Sequence, residues 1–121
     1  MGELRAVRAG KLVDVVTGEV VTDRSLIIRD DRIESVVPGG SEPAGAEVVD
    51  LSGATVLPGL IDCHAHMIGE LETGHGYAGL IQTSAAHEAM TGVRNARSTL
   101  LAGFTTVRDV GCPHGVAFAV R

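Results

Sequence analysis

Aromatic residues are nearly absent from this chain: Tyr77, Phe104 and Phe118 are all it has, and there is no tryptophan. Almost nothing is left on which nucleic-acid bases could stack. A formal charge of −5 also argues against a phosphate backbone as partner, because such partners need clustered lysine and arginine. Lysine is scarcer still, with nine of the ten basic residues arginine and Lys11 the only lysine. The two cysteines, Cys63 and Cys112, show no C-x-x-C or zinc-ribbon spacing. Ordinary cysteine usage favours two reduced thiols, with a single disulfide as the alternative. No apolar run approaches the ~20 residues that span a bilayer. The start, MGELRAVRAGKL, lacks the apolar centre of a signal peptide. Gly2 does not fit the myristoylation pattern, because Ala6 and Val7 stand where it wants serine or threonine. These absences point to a cytoplasmic protein that handles a small molecule, with no nucleic-acid and no membrane partner.

What is present is enough for one ordinary domain: 121 residues, 45% of them apolar, mostly valine, alanine, leucine and isoleucine. From Leu4 to Leu51, β-branched residues alternate with polar ones. Turn signals interrupt the alternation at Thr17-Gly18, Asp30-Asp31 and Pro38-Gly39-Gly40. Ser25–Arg29 and Arg32–Val37 flank Asp30-Asp31, which predicts a tight hairpin. SEPAGAE reads as a loop and Glu47–Leu51 as another short strand, so residues 1–55 predict a small antiparallel β-unit with no chemical character of its own.

The pattern changes at Val56. TVLPGLIDCHAH has buried-strand character and ends in polar residues, with Pro58 and Gly59 as an irregular entry and the regular strand from Leu60 to about His66. A Gly-rich loop, IGELETGHGYAGL, follows. Ala86, Ala89, Met90, Val93, Ala96 and Leu100 then recur at spacings of three and four, the stripe of an amphipathic helix. Ser84 is the candidate N-cap, with His87 at N3, and Gly103 the candidate stop. FTTVRDVG reads as a second buried strand, and CPHGVAFAVR opens another helix. Strand, loop, helix, strand and helix start make residues 56–121 a βα repeat, which implies a parallel sheet with the helix as crossover.

Side chains alternate along a strand, so Asp62, His64 and His66 share one face while Ile61, Cys63 and Ala65 share the other. Two imidazoles at i and i+2 can converge on one ion, each offering a neutral nitrogen at about 2.0–2.1 Å to zinc. Ligands of parallel α/β proteins bind at the carboxyl ends of strands, where His64 and His66 lie. Asp62, one step deeper, either joins the ion or orients a ligand ring; the second role is favoured. The plain alternative is two polar residues at a strand end, since two ligands do not complete a four-coordinate shell.

VLPGLIDCHAHM resembles the first barrel strand of the amidohydrolase superfamily, which carries H-x-H after a P-G-[LF]-[IV]-D lead-in. The β-rich segment before it resembles the N-terminal part of the small β-sandwich of those enzymes. LLAGFTTVRDVG resembles their second barrel strand. AGFTTVRDVG in particular is similar to the branch of imidazolonepropionase-like enzymes, Xaa-Pro or Xaa-Arg/Lys dipeptidases and N-acyl amino acid hydrolases, whereas the dihydroorotase and hydantoinase branch more often shows a GGVTT type of sequence. The resemblance implies an α/β fold: strands of a small β-sandwich, then the first two βα units of a (β/α)8 barrel like that of triosephosphate isomerase, incomplete in this chain. It implies a divalent metal, usually zinc, one or two per complete site, with His64 and His66 as ligands of the more buried ion. A carboxylated lysine, two further histidines and an aspartate from later strands would complete the site. The activity implied is hydrolysis of a C–N bond in an amide, dipeptide or N-acyl amino acid by metal-activated water. Cyclic-amide hydrolysis and a non-catalytic metal-binding or association module are the alternatives.

A barrel of this kind takes about 250 residues, and 121 hold roughly two of its eight strands. The catalytic residues are accordingly expected beyond Arg121, and the 121 residues alone are expected to be inactive. Lys11 lies ahead of the barrel segment and cannot replace the missing lysine. His75 in the Gly-rich loop, His87 near the helix start and His114 after the second strand do not replace the missing histidines. Arg108 and Asp109, at the end of the second strand, are candidates for a local ion pair or for supporting the site, with structural pairing the safer reading. Two barrel strands and one helix leave open edges and an apolar face, which makes association with further chains a prospect. Sequencing the source DNA in frame past the codon for Arg121 tests this reading. The expected result is an open frame with a lysine, two histidines and an aspartate at later strand ends; an immediate stop codon would remove the catalytic reading.

Overall fold

The alternation of the first half becomes four strands in a computed structural model of the chain, which describes residues 2–69, 78 and 83–121. The chain divides into two compact units, Met1–Pro58 and Gly59–Arg121. In the first, β1 (Leu4–Val13), β2 (Val20–Arg29), β3 (Arg32–Pro38) and β4 (Glu47–Val56) form one sheet in the order β3-β2-β1-β4. The hairpin at Asp30-Asp31 is present: Arg29 pairs with Arg32, and Asp30 takes the positive φ of 55° that a two-residue connection needs. The sheet is not wholly antiparallel. β4 runs parallel to β1, with Arg5 opposite Glu47 and Leu12 opposite Val56. The sequence pattern misses this because alternation reports which residues face the core and not which neighbour a strand chooses.

Residues 39–46 carry the chain from one edge strand, β3, to the opposite edge. Glu42 on this crossing connection ties it down. Arg8 of β1 and Ser25 of β2 lie directly opposite each other, and both donate to the Glu42 carboxylate. Arg8 Nε reaches Oε1 at 2.8 Å and a terminal nitrogen reaches Oε2 at 3.0 Å, a two-pronged pair, while Ser25 Oγ lies 2.6 Å from Oε1. The Gly40 amide adds a longer bond to the same oxygen at 3.3 Å. Ser25 is fully buried, and Ala6 and Ile27, paired two residues along from Arg8 and Ser25, are buried on the same face. The Arg8 guanidinium and the Ser25 hydroxyl hold the Glu42 carboxyl far below the usual carboxylate range.

The second unit begins with β5 (Leu60–Ala65), continues through α1 (Ala85–Leu101) to β6 (Phe104–Asp109), and ends with a single 3₁₀ turn at Pro113–Gly115 and the short α2 (Val116–Val120). β5 and β6 pair in parallel, with α1 as the crossover. The start and stop of α1 follow the expected chemistry. Ser84 Oγ accepts from the His87 amide at 3.3 Å, and Gly103 takes a φ of +95° just past the last turn. The Gly-rich loop after His66 lies outside the described residues except for Ile68, Gly69 and Ala78, and His75 lies outside them too.

Which face of α1 is buried differs from the expectation. Met90, Val93 and Leu100 of the apolar stripe are 74%, 57% and 60% exposed, while Glu88, Thr91 and Gly92 are buried. Gly92 sits there because the space is taken: a Cβ at that position would come 3.1 Å from Val120 and 3.3 Å from Ile68. Leu60 and Ile61 of β5, read as a buried strand, are likewise exposed. The physical reason is that a parallel pair is sheltered only when layers cover both its faces, and one crossover helix supplies part of one layer. Among the described residues no helix is long and apolar enough to cross a membrane.

Two outcomes follow for stability. A carboxylate whose folded-state proton affinity is depressed contributes stability that is fully present above its ordinary value of 4.5 and is lost as the pH falls below it. Glu42→Gln is therefore expected to lower resistance to urea near pH 7, and the gap to wild type should narrow on acidification; a gap independent of pH would mean that the charge contributes nothing. Ser84→Ala is expected to cost about 1 kcal/mol in the same assay, the usual worth of a helix N-cap.

Candidate metal centre

The site is built by the parallel pairing of β5 with β6. The Leu60 amide donates to the Gly103 carbonyl at 2.8 Å, and the Val110 amide donates to the Ala65 carbonyl at 3.0 Å. Parallel strands bring their carboxyl ends together, so Ala65 stands opposite Asp109 and His66 emerges beside Gly111. His64 and His66, both exposed, lie with ring centres 5.5 Å apart and planes at 71°. His66 Nδ1 lies 3.5 Å from the Gly111 carbonyl oxygen, a long contact. The ring reaches that close because residue 111 has no side chain: a Cβ there would lie 3.3 Å from Cε1 and 3.4 Å from Nδ1.

The carboxylates at this end address backbone and not imidazole. Asp62 Oδ1 accepts from the His64 amide at 2.9 Å, so it shapes the strand exit. Asp109 places both oxygens on amides that flank the His66 ring, Met67 N–H to Oδ2 at 3.1 Å and Gly111 N–H to Oδ1 at 2.9 Å. The neighbouring Arg108 is exposed, as alternation along β6 requires.

Asn95, which the sequence pattern does not single out, reaches the same segment from α1. Its Nδ2 donates to the Met67 carbonyl at 2.8 Å and to the Gly69 carbonyl at 3.0 Å. One amide carries two hydrogens and can serve both. The signal was an asparagine inside a helix, a position its side chain disfavours unless it has a bond to make.

The other histidines stand elsewhere. His87 sits in the first turn of α1. His114 has a positive φ of 58°, and its Nδ1 lies 3.6 Å from Oε2 of Glu88. Glu88 is 1% exposed; Thr83 Oγ1 donates to its Oε1 at 3.2 Å, and its Oε2 has no hydrogen bond among the described residues. Cys63 and Cys112 are both free thiols, and Cys112 Sγ accepts from the Ala117 amide at the start of α2.

Two imidazoles fit one metal ion as half of its shell. A ring bound through one nitrogen at about 2.0–2.1 Å has its centre roughly 3 Å from the metal, and a tetrahedral angle then separates two such centres by about 5 Å. The observed 5.5 Å agrees. A backbone carbonyl beside Nδ1 is the kind of partner that fixes a ligand ring and leaves Nε2 for the ion. Among the described residues no three His, Cys, Asp or Glu side chains converge, so a further donor is not supplied by them.

Residues 47–114 match the sequence profile of the amidohydrolase family. The chain is 29% identical over 116 residues to the imidazolonepropionase of Micrococcus luteus, which covers 82% of this chain and 29% of that protein. Over 68 residues it is 35% identical to the dihydroorotase of Desulforapulum autotrophicum, 54% of this chain and 15% of that one. The crystal structure of a Xaa-Pro dipeptidase with methionine bound in its active site superposes with a TM-score of 0.82 at 29% identity, over 98% of this chain and 29% of that one. The chain belongs to the amidohydrolase family. It spans 15% to 29% of the length of these relatives.

Proposed function

We propose that these residues are the N-terminal part of a metal-dependent amidohydrolase that hydrolyses a C–N bond in a small amide, with a dipeptide or N-acyl amino acid as the substrate class. The observation that carries the reading is the pair of imidazoles, 5.5 Å apart, at the carboxyl end of a parallel strand pair. On this reading residues 1–55 belong to the small β-sandwich, and residues 56–121 are the opening βα units of a (β/α)8 barrel. The exposed apolar residues of β5 and α1 support it, because neighbouring βα units cover those faces in a barrel. Likeness to a Xaa-Pro dipeptidase over nearly the whole chain supports the dipeptide class. The likeness to a dihydroorotase favours a cyclic amide as the second reading.

His64 and His66 would hold the ion, zinc by the chemistry of two neutral imidazoles, each through one ring nitrogen. A divalent metal at this position supplies Lewis acidity, lowering the pKa of water toward 7 and polarising the amide carbonyl. Asp62 keeps the His64 backbone in place through its bond to that amide. Arg108 and Asp109 stand at the neighbouring strand end as supporting residues. The resemblance puts the group that moves a proton to the leaving nitrogen on a later strand, and on this reading the 121 residues are inactive alone. The reading makes the protein cytoplasmic, with no nucleic-acid or membrane partner, in keeping with a charge of −5 and three aromatics.

Elemental analysis of the purified full-length protein tests the ligand pair. His64→Ala/His66→Ala is expected to lose at least one equivalent of zinc that the wild type retains through dialysis. Unchanged zinc content in a folded double variant would show that the ion sits elsewhere.

A further inference from the structure

We propose that Asn95 and Asp109 act together as positioning residues for His66, by clamping Met67, the residue after it, and Gly111, the residue its ring faces; this rests on the reading of His66 as a metal ligand. Met67 immediately follows His66 and is held at both ends. Its N–H donates to Asp109 Oδ2 at 3.1 Å, and its carbonyl accepts from Asn95 Nδ2 at 2.8 Å. The second hydrogen of the Asn95 amide goes to the Gly69 carbonyl at 3.0 Å, which fixes the next bend of the chain. The second oxygen of Asp109 accepts from Gly111 N–H at 2.9 Å, and the Gly111 carbonyl is the group facing His66 Nδ1. Asp109 therefore joins Met67, the residue after the ring, to Gly111, the residue the ring leans on. Asn95 joins Met67, through its carbonyl, to α1.

The geometry explains two otherwise odd features of the sequence. A helix interior is a poor place for asparagine, and here its side chain closes two backbone carbonyls that leave the strand. Asp109 sits at a strand end beside Arg108 yet forms its hydrogen bonds with backbone amides, one from each of the two strand exits. On this reading neither residue would be a ligand of the ion. Both act through the backbone, Asn95 and Asp109 at the residue after the exposed His66 and Asp109 also at the residue whose carbonyl its ring faces. Partners of this kind are usually worth about 10- to 100-fold in metal affinity.

The test compares four variants of the full-length protein: Asn95→Ala, Asp109→Asn, His64→Ala/His66→Ala, and Ser84→Ala, which weakens the same helix at its cap without touching the turn. Zinc affinity is read by chelator competition, the visible spectrum of the cobalt-substituted protein reports ligand geometry, and thermal unfolding reports the fold. Asn95→Ala and Asp109→Asn are expected to weaken zinc binding by about 10- to 100-fold and to shift the cobalt bands. Ser84→Ala should melt earlier with affinity and spectrum unchanged. Affinities within about twofold of wild type for both clamp variants, where the double histidine variant has lost its zinc, would overturn the clamp and leave the ligand pair standing. Zinc retained by the double histidine variant would overturn the ligand pair, and the clamp with it. Asp109→Asn keeps the shape and one acceptor oxygen, so the test stands even where Asn95→Ala does not fold.

Discussion

The parallel pairing of β5 with β6 is the constraint on which the candidate site depends. It sets Ala65 against Asp109, so the residue after each strand emerges at the same end and within reach of the other. Without it the H-x-H sequence is two polar residues on a free strand end. With it, His66 leans toward a carbonyl of the neighbouring strand exit, and a carboxylate from β6 accepts amides from both exits. Because the pairing is parallel, a crossover must join the strands, and α1 is that crossover. The helix thus brings Asn95 to the site as a consequence of topology.

The two units solve the same problem with similar chemistry. In each, an irregular segment must leave a sheet and still have its polar groups satisfied, since an unpaired buried group costs as much as a lost hydrogen bond. Glu42 does this for the crossing connection of the first unit by accepting from Arg8, Ser25 and the Gly40 amide. Asn95 and Asp109 do it for the exits of β5 and β6 with backbone groups alone. The first depends on a charge pair and is accordingly sensitive to acid. Among the described residues of the second unit, the buried side chains are the apolar Ile68 and Val116 and the polar Glu88 and Thr91.

Much of this was readable without coordinates. The β2–β3 hairpin, the boundaries of α1 with its Ser84 cap and Gly103 stop, and the parallel strand–helix–strand order all follow from local chemistry. Each is decided by residues close in the chain, through turn geometry, capping and periodicity. The parallel edge strand β4, the outward apolar stripe of α1 and the burial of Glu88 were not readable. Periodicity identifies an apolar face, but what that face meets depends on which layers are present. The pairing partner of a strand depends on where a long connection carries the chain.

At the site the division is equally physical. The sequence by itself determined the donor types, two imidazoles at i and i+2 after an apolar strand, because strand geometry alone puts alternate residues on one side. It also determined family membership, since the match rests on the order of residues between 47 and 114. Only the tertiary structure decided the 5.5 Å spacing of the rings, the approach of His66 to Gly111, and the convergence of Asn95 and Asp109 on Met67. Asn95 and Asp109 lie 28 and 42 residues from Met67 along the chain. No local preference relates residues so far apart; only the crossover and the strand register bring their side chains to one residue.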